Sequence, residues 1–422
     1  MKRRAFFLLA VAVSVGVPAG PAVAQGGRAE MEPLAVENFQ PVLTFDNQGP
    51  APKEGRLMVQ VSGPVTEAVL AKLAQYGTIH GVIERYHIVV ITPRGPKARR
   101  TIESLPFVSF VEEDQPRWLT GVGSWDRDIL DVVDVEETGD IGAPDPREVA
   151  ETGAGVHVAV IDTGLIKRWR DFLHTSQVRT DLARAFMGGG VTADLGFEEF
   201  NTSNPTNLWE RDTNSHGTAV ASHIIGFKIG PHVVEGVAPD AQVIPLKVFP
   251  NGSAFTFASR IIAAIAYTTE LKEDNVIGPT AMNISIAGGS PSVLERAAIQ
   301  DAIAEGIVVV ASAGNLGEDG MGWPGAFPEV ISVGATGWVE QFLPTVQPAP
   351  DTTFWRTRDV SNDPDGSGKS EELQSFVATF SSRAIPELGP MRGTDPQELD
   401  VLAPGLWTVA PCLLPGAGGG NA

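Results

Sequence analysis

The chain has 422 residues, 43% of them hydrophobic, which is enough material for a large core or for more than one domain. Its formal net charge of −20 would repel phosphate, so nucleic acid is excluded as an expected partner. Cys412 is the single cysteine, so no intrachain disulfide can form and stability must come from packing or bound ions.

The first 24 residues have the layout of a secretory signal peptide. The basic residues Lys2–Arg4 precede the apolar run Ala5–Val17, which is too short to span a bilayer. Ala22–Ala24 then offers small residues for cleavage before Gln25. A membrane anchor is the alternative, and the length and flanks of the run disfavour it. We therefore expect an exported protein, extracellular or periplasmic, with no membrane contact once this segment is removed.

Residues 25–55 are rich in Gly, Pro and Ala without periodicity, which predicts a linker. Residues 56–117 have the pattern of a compact unit that alternates strands and helices. The predicted elements are, in order, a strand at Leu57–Val61, a helix at Val65–Tyr76, strands at Ile79–Ile83 and His87–Thr92, a helix at Pro96–Leu105 and a strand at Phe107–Val111. The β-α-β-β-α-β order predicts a small α+β, ferredoxin-like domain.

Residues 118–150 are acidic and punctuated by Gly and Pro, which predicts a connector. From residue 151 onward strands and helices alternate, which predicts an α/β fold with a parallel sheet between layers of helices. The predicted strands are Val156–Ile161, Gln242–Phe249, Ala281–Ile286, Ile307–Ala311 and Val330–Val333, and the predicted helices are His216–Ile225, Ala258–Leu271 and Ser292–Glu305. Residues 337–372 break this pattern and predict a long surface insertion.

Two polar residues lie at the ends of predicted elements in the large domain. Asp162 ends a buried strand, where ligands collect in parallel sheets; a solvated acid that caps a core strand is the alternative. His216 begins a helix after Asn214 and Ser215, either of which is suited to cap it; a structural histidine is the alternative. If the two meet, the acid holds one imidazole nitrogen and the other serves as a general base near neutral pH.

A third polar residue, Asn315, follows a predicted strand and the small residues Ser312–Gly314. Its side-chain amide is able to donate a hydrogen bond to a developing oxyanion. A plain turn is the competing interpretation of a Gly-Asn pair at the end of a strand.

In this order, the motifs Val158-Ala-Val-Ile-Asp-Thr-Gly164, Asn214-Ser-His-Gly-Thr218 and Ala313-Gly-Asn315 resemble the subtilisin-like serine proteases, or subtilases. Shorter matches follow the family's order at Gly236-Val-Ala-Pro239, Leu246-Lys-Val248, Met282-Asn-Ile-Ser285, Val333-Gly-Ala335, Phe380-Ser-Ser382 and Leu402-Ala-Pro-Gly405. The resemblance covers residues 151–410 and implies a subtilisin-like domain with a central parallel sheet flanked by helices. Residues 56–117 are similar to the family's inhibitory propeptide, which implies that this domain is a partner of the catalytic domain.

The resemblance also implies a role for each matching residue. Asp162 would orient His216, which would take a proton from a serine nucleophile and return it to the leaving amine. Asn315 would supply one oxyanion donor, a contact worth on the order of 3 kcal/mol in the transition state. The implied peptide cleft is lined by the edge strand Ser285, Ile286, Ala287 and Gly288, by Gly314 at the primary specificity pocket, and by Gly252 and Ser253 on the opposite side. Polypeptides are therefore the expected substrates.

No cofactor and no metal ion is expected for this chemistry. Many subtilases bind structural calcium, and the acids scattered through the loops of this sequence do not identify its ligands.

Two features depart from the family's pattern. After His216-Gly-Thr218 the family often has His-Val-Ala-Gly, and this sequence has Ala219-Val-Ala-Ser222, which we interpret as a packing variant. The family carries its nucleophile in a Gly-Thr-Ser motif soon after Ala-Pro-Gly, and that motif does not occur in these residues, which stop at Gly418–Ala422. Ser312, Ser381 and Ser382 lack the helix-start context of a nucleophile. We therefore expect a catalytic domain, 151–422, that is C-terminally incomplete and inactive as written.

The leading hypothesis is a secreted serine endopeptidase zymogen whose sequence is incomplete here. The alternative hypothesis is a non-catalytic subtilase-like protein, in which residues 56–117 act as a protease-binding or inhibitory module. A third hypothesis, a metal-dependent hydrolase that uses His216, is disfavoured because no second ligand lies at metal-binding spacing.

Overall fold

The computed structural model of the chain describes residues 55–119, 151–186, 208–229, 232–253, 255–338, 375–378, 380–385, 397–405 and 410–411. The predictions for the signal peptide, and for nearly all of the linker, the connector and the surface insertion, lie outside these described residues. The end of the chain after residue 411, on which the expectation of an incomplete domain depends, also lies outside them.

The first folded unit is built on a four-stranded antiparallel sheet. Its elements are β1 (Leu57–Val61), α1 (Glu67–Ala74), β2 (Gly77–Ile83), β3 (Ile88–Pro93), α2 (Pro96–Glu103) and β4 (Val108–Glu113). The strand order is β2–β3–β1–β4, and the chain follows the predicted β-α-β-β-α-β order. Thr66 caps α1 by accepting a hydrogen bond from the backbone N–H of Val69, and Pro96 occupies the first turn of α2, where a missing N–H costs nothing.

The second unit is an α/β domain. Its strands are β6 (His157–Asp162), β7 (Arg184–Ala185), β8 (Phe227–Ile229), β9 (His232–Val234), β10 (Gln242–Lys247), β11 (Phe255–Phe257), β12 (Thr280–Ile284), β13 (Ile286–Ala287), β14 (Val308–Ser312), β15 (Ile331–Trp338), β16 (Ser375–Val377) and β17 (Val401–Pro404). Its helices are α3 (His216–Ile225), α4 (Ala258–Glu273) and α5 (Val293–Ala304). An eight-stranded, mainly parallel sheet runs in the order β16–β15–β14–β12–β6–β10–β7, with β17 beside β15.

Strand β6 lies in the interior of this sheet, and every one of its side chains is buried. Ala159 and Ile161 belong to the core that contains α4 and α5, whereas Val158 and Val160 belong to the core that contains α3. Because successive side chains of a strand point to opposite faces, Asp162 lies on the same face as Val158 and Val160. The apolar alternation of β6 therefore brings the carboxylate to the face covered by α3.

One strand connects the two units. β5 (Pro116–Leu119) is the middle strand of a three-stranded antiparallel sheet, between β11 and β13 of the large domain. Arg117 lies opposite Thr256, and Leu119 lies opposite Ile286. The sequence pattern predicted that the small domain ends at residue 117 and that a connector follows. The strand β5 continues two residues past this boundary, through Leu119, and is defined by partners far away in the chain; the division into domains stays a prediction.

Among the described residues, no helix combines the length and the apolar character needed to cross a bilayer.

Candidate active site

Asp162 and His216, predicted to meet, are in contact. Nδ1 of His216 lies 2.8 Å from Oδ1 and 2.9 Å from Oδ2 of Asp162. The side chain of His216 is 6% exposed and that of Asp162 is completely buried, so little water competes for this bond. The imidazole comes from the first residue of α3 and the carboxylate from the last residue of β6. A hydrogen bond at Nδ1 selects the tautomer in which Nε2 is the proton acceptor.

Gly217 allows the start of α3 to approach the end of β6 this closely. A Cβ atom at Gly217 would lie 2.4 Å from the carbonyl oxygen of Gly164 and 3.1 Å from Oδ1 of Asp162. The backbone N–H of Gly217 donates to Oγ1 of Thr163 at 2.8 Å. A larger residue would push the helix away from the strand and separate the His216 ring from its carboxylate.

Asp212 holds the turn that delivers His216. Its Oδ2 accepts hydrogen bonds from the Ser215 N–H and the Thr163 hydroxyl, both at 2.8 Å, and its Oδ1 accepts from the Asn214 N–H at 2.9 Å. Ser215 occupies the N-cap position with a φ of 78°, and its side chain makes no cap hydrogen bond. Instead, the side-chain oxygen of Asn214 accepts from the His216 N–H at 3.3 Å. Of the two predicted capping residues, Asn214 is the one whose side chain binds the start of the helix.

A buried lysine lies beneath this turn. Lys247 ends β10, directly opposite Asp162 in the parallel register, and its Nζ donates to the carbonyl oxygen of Thr163. Nζ also lies 3.9 Å from Oδ1 of Asp212. Burial lowers the pKa of Lys247, with attraction to Asp212 and Asp162 acting in the opposite direction, and burial raises the pKa of Asp212. The ammonium group thus contributes a positive field under the Asp162 carboxylate.

Asp212 and Lys247 were not predicted from the sequence as supporting residues. For Asp212 a signal was present, since an Asp two residues before an Asn often forms a turn closed by its own side chain. For Lys247 the signal was a charged residue at the end of an apolar strand, the same signal that identified Asp162.

Asn315 follows β14 on the same side of the sheet. β12 separates β14 from β6, and the three strands are parallel, so Asn315 and Asp162 lie beyond the same carboxyl edge. The turn is fixed by Ser382, whose N–H donates to the carbonyl oxygen of Gly314 at 2.9 Å. The hydroxyl of Ser382 accepts from the Leu316 N–H at 3.0 Å. Asn315 is half-buried, and its role as an oxyanion donor stays a prediction.

The edge strand predicted at Ser285–Gly288 contains β13, Ile286 and Ala287, which pairs with β5. Ser285 accepts a hydrogen bond from the side-chain amide of Asn283 at 3.0 Å, and Gly288 pairs through its backbone with Trp323. This segment therefore lies directly beside an extended strand.

Gly252 and Ser253 were predicted to flank the peptide on the opposite side. The strand that pairs with β5 there is Phe255–Phe257, and Gly252 and Ser253 lie in the turn before it. The Gly252 N–H donates to the Thr213 hydroxyl at 3.2 Å, and the Ser253 hydroxyl donates to the Phe255 carbonyl oxygen at 2.7 Å. In this structure Ser253 contacts the flanking strand and Gly252 contacts Thr213, and direct substrate binding by either residue stays a prediction.

Within the described part of the chain, no three His, Cys, Asp or Glu side chains come together in an arrangement that would hold a metal ion. The expectation of structural calcium stays untested.

A model of the subtilase family matches residues 153–414, which is more than half of the chain, so the protein belongs to this family. The predicted fold class, a subtilisin-like α/β domain, is confirmed by this match and by the mainly parallel sheet. The sequence is 34% identical to subtilisin DY of Bacillus licheniformis over 187 residues, which cover 43% of this chain and 57% of that protein. It is 31% identical to subtilisin Savinase of Lederbergia lenta over 196 residues, which cover 46% of this chain and 61% of that protein.

The chain therefore spans somewhat more than half of the length of these two relatives. Among solved structures, fervidolysin of Fervidobacterium pennivorans, described as a keratinolytic enzyme related to subtilisin, is 21% identical with a TM-score of 0.48. That alignment covers 68% of this chain and 43% of fervidolysin. Sphericase is 25% identical with a TM-score of 0.42, over 60% of this chain and 67% of its own.

Proposed function

We propose that this protein is a secreted serine endopeptidase, made as a zymogen, that hydrolyses peptide bonds in polypeptides. The observation that carries this proposal is the buried hydrogen bond between Asp162 and Nδ1 of His216, at the carboxyl edge of the sheet. Membership of the subtilase family supports the same reaction class.

In this mechanism His216 is the general base. Nε2 takes the proton of a serine hydroxyl while the serine oxygen attacks the carbonyl carbon of the scissile peptide bond. The imidazolium then returns this proton to the leaving amine, and a water molecule repeats the sequence on the acyl-enzyme. Asp162 stabilises the transient positive charge on the ring, and Asp212 and Thr163 hold the backbone on both sides of the pair.

Asn315 is the proposed side-chain donor to the oxyanion of the tetrahedral intermediate. Its place beyond β14, on the same edge of the sheet as Asp162, and the turn fixed by Ser382 support this role. A donor held rigidly in advance stabilises the developing charge without reorganisation in the transition state.

We further propose that residues 56–119 are an inhibitory propeptide. β5 forms hydrogen-bonded ladders with β11 and β13 on both of its edges, the arrangement of an extended peptide bound by strand addition. A substrate cannot enter while β5 occupies this position.

Two carboxylates of the small domain cap helices of the large domain and support the same proposal. Glu112 accepts hydrogen bonds from the N–H groups of Val293 and Leu294, both at 3.0 Å, at the start of α5. Asp114 accepts from the N–H of Ser259 at 2.9 Å, in the first turn of α4. Both acids satisfy backbone donors that have no partner within their own helix and lie at the positive ends of the helix dipoles.

The 422 residues contain no Gly-Thr-Ser motif, so the proposal requires a nucleophilic serine outside them. The test is to sequence the gene downstream of the codon for Ala422, express the complete product and treat it with a fluorophosphonate probe for active serines. We expect the downstream sequence to encode Gly-Thr-Ser and the complete product to carry one labelled serine. The His216→Ala variant should not be labelled. A complete gene without this motif, whose secreted product is unlabelled, would favour a non-catalytic protease-binding module instead.

Export is proposed from the layout of residues 1–24. Amino-terminal sequencing of the protein recovered outside the cytoplasm should begin at or beyond Gln25, and recovery of the product with Met1 in the cytoplasm would contradict export.

A further inference from the structure

Arg117 of β5 is a completely buried arginine, and its partner Glu295 is completely buried as well. Nη2 of Arg117 lies 2.6 Å from Oε2 of Glu295, and Nε lies 3.2 Å from Oε1, so both carboxylate oxygens accept a hydrogen bond. Nη1 donates to the carbonyl oxygen of Pro116 at 3.0 Å. A planar guanidinium matches a carboxylate in this two-pronged geometry, and an ammonium group does not. The proposed catalytic mechanism uses neither residue.

The carboxylate belongs to the large domain, and the small domain also contacts its turn, because the Ser292 hydroxyl donates to Oε1 of Glu112 at 2.7 Å. Glu295 lies in the first turn of α5, where the hydroxyl of Ser292 accepts a hydrogen bond from the Glu295 N–H at 3.1 Å and fixes the turn. The positive end of the helix dipole favours the charged carboxylate at this position. Arg117, by contrast, belongs to a strand whose two neighbours, β11 and β13, are both part of the large domain. Arg117 therefore lies in a site whose carboxylate and two flanking strands belong to the large domain.

Gly288 gives this site its shape. A Cβ atom there would lie 2.6 Å from Nη1 and 2.9 Å from Cδ of Arg117. The backbone cannot easily retreat, because the N–H and carbonyl of Gly288 pair with Trp323 at 2.8 and 2.9 Å. Because Gly288 has no side chain, the Arg117 guanidinium can occupy the space next to its Cα atom. We name the cavity formed by Glu295 and Gly288 the Glu295 pocket.

We infer that the Glu295 pocket is an arginine-binding subsite of the peptide cleft, and that the protease selects polypeptides with arginine at the position taken by Arg117. This inference rests on the proposed function, because it treats the pose of β5 as the pose of a substrate. A neutral side chain at this position leaves a buried carboxylate without a partner, which is strongly unfavourable. The net charge of −20 also favours the approach of basic peptides to the protein as a whole.

Chemical rescue of the 422-residue chain tests the pocket directly. Arg117→Ala keeps Cβ and removes a fragment equivalent to N-ethylguanidine, so added N-ethylguanidine should refill the pocket. At ten times its dissociation constant, mass action raises the midpoint of thermal unfolding by about 2–3 °C. We expect this shift in Arg117→Ala and not in the wild type, whose pocket is filled, nor in Arg117→Ala/Glu295→Gln. Propylammonium has the same charge but cannot donate two parallel hydrogen bonds to the carboxylate, so it should give a much smaller shift in the unfolding midpoint. Equal shifts in the single and double variants, or no shift in either, would overturn the inference.

A second measurement covers the case in which Arg117→Ala does not fold. Arg117→Lys keeps a positive charge in β5 but loses the two-pronged contact, so β5 exchanges more readily with a peptide of the sequence Gln-Pro-Arg-Trp-Leu. We expect the arginine peptide to bind at least about 10-fold more tightly than its citrulline analogue, which has the same shape and no charge. Equal fluorescence anisotropy titrations for the two peptides, including no binding by either, would overturn the inference.

Neither measurement requires peptide hydrolysis. Guanidinium rescue without fluorophosphonate labelling of the complete gene product would remove the protease and keep the pocket as a binding site. Labelling without rescue would keep the protease and remove the arginine subsite.

Discussion

Two buried acid–base pairs of this protein, Asp162 with His216 and Arg117 with Glu295, differ in where their partners come from. Asp162 and His216 both belong to the large domain and meet because β6 ends where α3 begins. Arg117 and Glu295 come from the two sides of a contact between domains, so their pair exists only while β5 lies between β11 and β13.

The difference shows how burial serves two purposes. For Asp162 and His216 the cost of removing water is met once, when the large domain folds. The hydrogen bond between them then persists in the folded state. For Glu295 the cost of removing water is met again each time a strand enters between β11 and β13, and an arginine partner offsets that cost. The first pair is suited to repeated proton transfer, and the second is suited to recognise whatever arginine occupies the cleft.

The largest effect is expected at the pair formed by Asp162 and His216. In the complete gene product, His216→Ala should lower kcat for peptide hydrolysis by about 10⁴-fold or more, because it removes the proposed general base. His174→Ala, a change at an exposed histidine, is the matched control and should leave kcat unaltered. A loss smaller than tenfold in His216→Ala would show that this residue is not the base.

The next effect breaks the second pair. Glu295→Leu leaves the Arg117 charge buried without a carboxylate and should lower the free energy of unfolding by about 3–5 kcal/mol. Arg117→Met/Glu295→Leu replaces both charges with apolar groups and should recover most of this loss, as measured by urea unfolding. Glu329→Leu breaks a half-exposed pair with Arg296 and should cost about 1 kcal/mol or less. A double variant no more stable than Glu295→Leu would contradict the role given to the unpaired Arg117 charge.

A smaller effect tests the shape of the pocket. Gly288→Ala inserts a methyl group against the Arg117 guanidinium and the Pro116 carbonyl oxygen and should cost about 1–3 kcal/mol in urea unfolding. The neighbouring Gly289 is exposed, and a methyl group added there would meet no atom within 4 Å, so Gly289→Ala is the control. Equal stabilities of the two variants would show that the pocket tolerates a side chain at Gly288.

The smallest effect concerns how the stability of the folded state depends on pH. Two contacts between the domains, at Glu112 and at Asp301, should change this stability in opposite directions as pH rises. Burial raises the pKa of Glu112 above 4.5, with hydrogen bonds from Ser292 and the start of α5 acting against it. At Asp301 burial also acts to raise the pKa, but hydrogen bonds from Arg85 and Tyr86 outweigh it, so the pKa lies below 3.8. A raised pKa stabilises the folded state at low pH and loses this contribution as pH rises; a lowered pKa stabilises it above 3.8 and loses this contribution as pH falls.

Thermal unfolding between pH 3 and pH 7 should therefore separate two isosteric variants. The advantage of the wild type over Glu112→Gln should shrink as pH rises, and its advantage over Asp301→Asn should grow as pH rises from 3 to 5. The Asp301 effect should stay below about 1 kcal/mol, since the side chain is partly exposed and screened by water. Parallel pH profiles for the two variants would contradict these assignments.

The sequence predicted the pair formed by Asp162 and His216 well because its signals are local. An apolar run that ends in Asp162 and a helix start at His216 each lie within a few residues, and the observed α3 has the predicted bounds. The register of the flanking strand was less accessible from the sequence, because it depends on a partner strand: Phe255–Phe257 pairs with β5. Substrate binding by Gly252 and Ser253, in the turn before this strand, stays a prediction.

The second pair was not predictable in this way. Pro116–Leu119 is too short to show a strand period, and its conformation is set by β11 and β13, which lie far along the chain. In the sequence, Glu295 cannot be distinguished from other acids in the first turn of a helix, and most such acids are exposed to solvent. Its burial depends on the contact between the domains, which no local window contains.

The short lengths of β11 and β13 have a consequence for the colloidal behaviour of the large domain. If residues 56–119 depart, two strand edges lose their hydrogen-bonding partner, and open edges are the usual starting point for sheet polymerisation. Here the edges are only 3 and 2 residues long, too short to template a fibril-like ladder. Departure of residues 56–119 should therefore add little tendency toward edge-to-edge aggregation, even at high protein concentration.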